Sequence, residues 1–152
     1  MEAECDALKK LLEESGVTYK VLTHERVFTS QEAADIRGVP LSSGVKAMIV
    51  KAKDDFLMVL VPGDRKIGLK NLKGRFGSAK LASPDEVFRI TGCEVGSVHP
   101  FGQLFGLRVL MDRHILDSET VNFNAGMHEV SINMSPRDMA EIIKPELGDF
   151  AE

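Results

Sequence analysis

A chain of 152 residues with 43% hydrophobic and 28% charged side chains fits one globular domain, and a domain of roughly 150 residues buries about 70% of its unfolded surface, enough for a true core. A formal net charge of −4 argues against a protein that coats long nucleic acid, though not against one that grips a short end of it. Cys5 and Cys93 form no framework and no CxxC is present, and the longest apolar run, FLMVLV, has six residues, so a soluble, cytoplasmic protein of a reducing compartment with no membrane span is expected.

The N-terminal stretch MEAECDALKKLLEES is acidic and amphipathic, unlike a signal peptide. Ala7, Leu8, Leu11 and Leu12 recur at helical spacing and Gly16 follows, which predicts a helix over 3–15. TYKVLT reads as a strand. In TSQEAADIRG, Thr29 stands three residues before Glu32, a capping box, with Gly38 as the stop. GVKAMIVKA and FLMVLV are expected as two strands joined at Asp54 and Asp55. The second is apolar on both faces and therefore central. SPDEVFRITG and SPRDMAEIIK each place proline at the first helical position behind a serine. GLRVLMD, TVNFN and HEVSINM read as further strands. The expected fold is α+β: one compact domain with a mixed, mostly antiparallel sheet or barrel-like sheet of six or seven strands, flanked by helices.

TGCEVGSVHPFGQLFG, residues 91–106, has four glycines and a proline around a histidine. If Gly96 takes a conformation closed to other residues, the N–H groups of Ser97, Val98 and His99 can turn to one side as an anion nest, stiffened by Pro100. A tight turn between two strands is the simpler reading of the same residues. In GVKAMIVKA, strand alternation puts Lys46 on one face with Met48, Val50 and Ala52. There it either snorkels at the rim of the sheet or holds an anion in a cleft.

His24, His99, His114 and His128 form no HxH or HExxH pair, so no metal or other cofactor is expected. Ser97 lies in no GxSxG, and Cys93 reads as a small buried residue. The sequence offers no evident nucleophile or base.

HERVFTSQEAADIRGVPLSSGVKAMIVKA, the Gly96-to-Pro100 GxxxP loop in GSVHPFG, and VNFNAGMHEVSINMSPRDM together resemble the YbaK/ProX aminoacyl-tRNA deacylases, relatives of the editing domain inserted in bacterial prolyl-tRNA synthetases. The resemblance runs from about residue 20 to 143. It implies that residues 1–152 form one editing domain that hydrolyses the ester between a wrong, small amino acid (alanine, cysteine or serine) and the terminal adenosine of a tRNA, tRNA-Pro among the candidates. The catalytic set it implies is Lys46 on the terminal phosphate, Gly96, Ser97 and Val98 as backbone donors to the ester carbonyl, and His128 orienting water or the 3′ end. Phe28, Met48, His99, Pro100 and Gly102 are expected around the substrate. An activated ester with a vicinal ribose hydroxyl needs positioning and charge stabilisation rather than a triad. The expected partners are the acceptor end of an aminoacyl-tRNA and, beyond it, an aminoacyl-tRNA synthetase, with the protein a monomer or homodimer. A catalytically silent domain that binds aminoacyl-tRNA or a small ligand is the alternative.

RKIGLKNLKGRFGSAK, residues 65–80, carries six cations and no acid. A helix through its middle would align Lys66, Lys70 and Lys73 on one face. With the resemblance in hand, these residues and Arg75 are assigned to the phosphates of the acceptor stem.

Overall fold

The computed structural model describes residues 2–152. Helix α1 (Glu2–Ser15) turns Cys5, Leu8 and Leu12 inward, and strand β1 (Tyr19–Thr23) follows. Helix α2 (Ser30–Arg37) opens with the predicted capping box. The Glu32 N–H donates to Thr29 Oγ1 at 3.0 Å and the Thr29 N–H donates to the Glu32 carboxylate at 3.1 Å, so two donors of the first turn are satisfied. Helix α3 spans Leu69–Phe76 and α4 spans Pro84–Thr91, the latter behind a second capping box from Ser83 and Glu86. Helix α5 (Pro136–Ile143) starts at Ser135, whose hydroxyl accepts from the Asp138 N–H.

Strands β2 (Val45–Ala52) and β3 (Asp55–Pro62) form an antiparallel hairpin in register from Val45 opposite Pro62 to Ala52 opposite Asp55. Its turn is Lys53–Asp54, one residue earlier than expected, with Lys53 at φ 59°. The remaining strands are β4 (Lys80–Leu81), β5 (Arg108–Asp112), β6 (Val121–Asn124), β7 (Val130–Met134) and β8 (Glu146–Gly148).

In place of one sheet of six or seven strands there are two. The order β1-β7-β6 is antiparallel throughout, and in β4-β2-β3-β5-β8 strand β5 runs parallel to both β3 and β8. Neither closes into a barrel, and a bridge between Gly44 and Asn122 joins them. A hydrophobic pattern marks which face of a strand is buried but not which edges pair, so the split was invisible to it.

Strand β3 is apolar on both faces because it separates two cores. Met58 and Leu60 pack with Leu8 and Leu12 of α1, Phe123 of β6, Ile132 of β7 and Met139 of α5. Val59 and Val61 face the other way, onto Leu72 of α3 and Phe150. With the hairpin clamped on both sides, the start of β2 is a rigid edge. The end of α2, the loop after α4 and the end of β6 converge on it.

Candidate active site

At that convergence lies a cleft of about 280 Å3. Its walls come from α2 (Ala33, Arg37), β2 (Lys46, Met48), the loop after α4 (Gly96, Val98) and Asn124 at the end of β6, with Phe28 at the mouth. Among its lining residues are two cations, Arg37 and Lys46, and no aspartate or glutamate. A cleft with low-dielectric walls and one sign of charge concentrates an oppositely charged ligand.

Lys46 is half-buried, and its ammonium donates a short hydrogen bond to the Arg65 carbonyl. Burial lowers its pKa. Asp64 pulls the other way, and Lys66 adds a smaller lowering. Both sequence readings meet at this residue: Lys46 stands near the start of β2 and is also one of the residues that line the cleft.

In the loop, Gly96 is at φ 89°, the left-handed region that favours glycine. The expected three-donor nest is not what forms. The Ser97 N–H donates to the Glu94 carbonyl at 3.0 Å and the Ser97 hydroxyl donates to the same oxygen at 2.8 Å, so a fully buried Ser97 closes the turn and has no donor to spare. The N–H groups of Gly96 and Val98 donate to no protein acceptor among the described residues, and both residues line the cleft. Of the loop's N–H groups at the cleft, those of Gly96 and Val98, and not that of Ser97, are left as candidate donors. The loop's carbonyl side is fixed as well, with Asn124 Nδ2 donating to the Gly96 oxygen at 2.7 Å.

His99, Pro100 and Gly102 are not at the cleft. The His99 ring is fully buried, 4.6 Å from the Phe105 ring and stacked on it. Its Nδ1 accepts the Phe101 N–H at 3.2 Å, and desolvation pushes its pKa down to about 4, so the ring is neutral. Pro100 is buried beside it. Gly102 packs against β5, where an added Cβ would come within 2.5 Å of Val109 Cγ2; this glycine is required by packing rather than by a substrate.

His128 stands behind the cleft wall, 2% exposed. Its Nδ1 donates to the Val27 carbonyl at 2.9 Å, its Nε2 lies 3.7 Å from Glu94, and its ring centroid is 4.9 Å from that of Phe28. His128 is not among the residues that line the cleft, where contact with water or the 3′ end is expected of it, and packs beside Gly96 and Phe28 instead. Phe28 itself is 64% exposed and Met48 lines the cleft.

Helix α3 begins only at Leu69, so Lys66 precedes it and the expected three-lysine helical face does not form. Lys66, Lys70 and Lys73 are exposed. Arg75 is not a free cation: its guanidinium is held bidentate by Glu146, which also binds Arg108 at 2.8 Å, and these arginines hold the Glu146 carboxyl down to about 2.

Sequence reasoning missed Arg37 and Asn124. Arg37 donates from Nε to Ser131 Oγ at 2.9 Å and from Nη2 to Asn124 Oδ1 at 3.2 Å. Nothing local marks either contact, since the partners lie 94 and 87 residues away. Cys93 is fully buried and desolvation raises its thiol to about 11, which leaves it protonated and inert.

The chain has known relatives. The sequence pattern of the aminoacyl-tRNA editing domain matches residues 24–142. The chain is 33% identical over 147 residues to the multifunctional Ser/Thr-tRNA deacylase ProXp-y of Escherichia coli K12, covering 92% of this chain and 88% of that one. It is also 33% identical over 135 residues to the proline–tRNA ligase of Fervidobacterium nodosum, covering 81% of this chain but 23% of that longer enzyme. In three dimensions it matches the crystal structure of hypothetical protein APE2540 with a TM-score of 0.88 at 28% identity, covering 95% of this chain and 99% of that one. By these matches the chain belongs to the aminoacyl-tRNA editing domain family.

Proposed function

We propose that this protein is a trans-editing aminoacyl-tRNA deacylase: the cleft receives the 3′ end of a mischarged tRNA, and water cleaves its aminoacyl ester. The observation that carries the reading is the acid-free cleft in which Lys46 stands with the Gly96 and Val98 N–H groups. Lys46 holds the terminal phosphate as a point charge, and the two N–H groups face the ester carbonyl. Water adds to the carbonyl carbon, the bond to the ribose oxygen breaks, one proton of the water passes to that oxygen and the other to solvent, and the amino acid leaves as its carboxylate. The protein supplies no covalent nucleophile. The Ser97 hydroxyl is bound to Glu94, and Cys93 is protonated; the vicinal ribose hydroxyl orients the water.

A cleft of about 280 Å3 is at the small end for ligand sites and suits a small acyl group such as alanyl, cysteinyl or seryl. It discriminates by volume, with about 1 to 3 kcal/mol per methylene. The acceptor end of tRNA-Pro is one candidate substrate, with residues 1–152 acting as one editing unit, monomer or homodimer, beside an aminoacyl-tRNA synthetase in the cytoplasm. No helix among the described residues is long and apolar enough to cross a membrane. The test is a panel of tRNAs mischarged with labelled alanine, cysteine, serine and threonine. Loss of label from at least one is expected, whereas tight binding without loss of label identifies a silent adaptor.

A further inference from the structure

Arg37 is the cation of the cleft for which neither the sequence nor the family match gives a role. It closes the last turn of α2, and its guanidinium is gripped on two edges. Nε donates to Ser131 Oγ on β7 and Nη2 to Asn124 Oδ1 on β6, at 2.9 and 3.2 Å. A guanidinium has five N–H donors. The three that remain, on Nη1 and Nη2, have no protein acceptor among the described residues.

The grip is fixed by the partners' own chemistry. His24 Nδ1 is 2.7 Å from the Glu25 carbonyl, which can only accept, so in the neutral ring the proton is on Nδ1 and Nε2 accepts. The Ser131 hydroxyl, 2.7 Å from Nε2, donates to it and leaves a lone pair for Arg37. Because Arg37 can only donate, the Asn124 oxygen faces it and the Asn124 amide nitrogen is turned to the Gly96 carbonyl, 2.7 Å away. One amide therefore ties the guanidinium to the loop that faces the ester.

What the guanidinium lacks is a counter-charge. Both partners are neutral, no carboxylate comes within ion-pair distance of it among the described residues, and the cleft lining holds no acid. Desolvation alone lowers its pKa, to about 10. A cation partly withdrawn from water without a counter-charge is costly, and a ligand oxyanion on the open fork offsets that cost with paired, parallel hydrogen bonds.

We propose that Arg37 is an anion-binding residue of the cleft that receives the carboxylate of the amino acid released by hydrolysis, an inference that rests on the deacylase reading above. A phosphodiester offers similar oxygens, but Lys46 already serves it, and the Asn124 tie places Arg37 with the acyl side of the site. The neutral ester gains little from the fork. The charge that develops on its oxygens as water adds gains more, so the contact strengthens along the reaction.

The test is an NMR titration of the full chain with L-alanine, with L-alaninamide, which replaces the carboxylate by a neutral amide, and with AMP. Wild type is expected to bind L-alanine about tenfold or more tightly than L-alaninamide. R37Q is expected to bring the two within about twofold while AMP affinity is unchanged. Arg37 also joins α2 to the three-stranded sheet, so R37K, which keeps the charge and loses the fork, is measured alongside with its thermal unfolding; a preference for L-alanine between those of wild type and R37Q is expected. Wild type that binds both alanine compounds equally overturns the proposal. So does R37Q that loses AMP and keeps L-alanine, which makes the fork a phosphate site. A wild-type protein that prefers the carboxylate yet clears no mischarged tRNA defeats the deacylase reading instead, and the two failures are thus distinct.

Discussion

Gly96 faces the His128 ring: a Cβ built on Gly96 would lie 3.4 Å from His128 Cε1, at van der Waals contact. The loop that carries the candidate carbonyl donors is therefore backed by a buried ring, and behind the glycine, at φ 89°, there is no room for more than a Cβ.

Gly96→Ala and, more severely, Gly96→Val are expected to impair turnover more than ground-state binding. A side chain at this φ is strained, and with its Cβ already in van der Waals contact with the His128 ring the loop relieves the strain by shifting, which re-aims the Gly96 and Val98 N–H groups. Loss of one oxyanion donor costs about 100- to 1,000-fold in kcat in acyl transfer. Single-turnover deacylation measured against tRNA affinity separates the effects. Turnover that survives while affinity falls would make the loop a binding element only.

The same contact gives His128 a supporting role that can be tested. His128→Ala leaves the Val27 carbonyl without its donor, removes the ring beneath Phe28 and Gly96, and is expected to destabilise the fold by about 1 to 3 kcal/mol as well as to slow turnover. His128→Gln, which can still donate to Val27, should recover part of both. A variant with normal stability and no turnover would point instead to direct contact with the substrate.

Lys46 makes a prediction about pH. Burial lowers its pKa below the usual lysine value, so the folded state holds this proton less tightly than the unfolded chain does. Between the folded and unfolded values the unfolded chain binds more protons, and stability rises with pH. Phosphate binding runs the other way, because the ammonium is lost as pH passes the lowered folded value. The enzymatic kcat/KM, corrected for spontaneous ester hydrolysis, should decline on the alkaline side before an ordinary lysine would titrate, and Lys46→Arg should extend activity to higher pH. Lys46→Ala is expected to fold normally by circular dichroism and to lose about 10- to 100-fold in kcat/KM, the range of a charged hydrogen bond. Full activity in a folded Lys46→Ala protein would remove this residue from the site.

Local rules made much of the fold legible. Thr29 with Glu32 and Ser83 with Glu86 announce helix starts because a cap is satisfied within four residues. The apolar run in β3 announces a central strand because both its faces are covered. Pairing was not legible, and strands β4 and β8, two and three residues long, are too short to show a period. In the site, Lys46 and Gly96 could be singled out from strand alternation and loop chemistry. Arg37 could not, since an arginine in the last turn of a helix is an ordinary dipole partner until Ser131 and Asn124 arrive from distant strands. Ser97 misled for a related reason: a donor in a glycine-rich loop looks available until the turn that consumes it is seen.

The basic segment behaves differently in space than its charge count suggests. Arg75 is committed to Glu146, whereas Lys70 and Lys73 are exposed on α3 and belong to none of the ion pairs among the described residues. Neither lysine lines the cleft. If this helix meets acceptor-stem phosphates, replacing Lys70 and Lys73 with glutamate should weaken binding of full-length tRNA and reduce the slope of log affinity against log salt by about 1 to 2 units, near one for each phosphate that is no longer neutralised. Hydrolysis of a minimal aminoacyl-adenosine should stay near normal, because phosphate contacts outside the cleft position the tRNA without touching the ester. Arg75→Ala should change tRNA binding less than either lysine, since Glu146 already neutralises it, and Glu146→Gln should strengthen binding by releasing Arg75 and Arg108. Equal losses on tRNA and on aminoacyl-adenosine would place the helix in the catalytic pocket, and no loss on either would leave α3 as a solvated face.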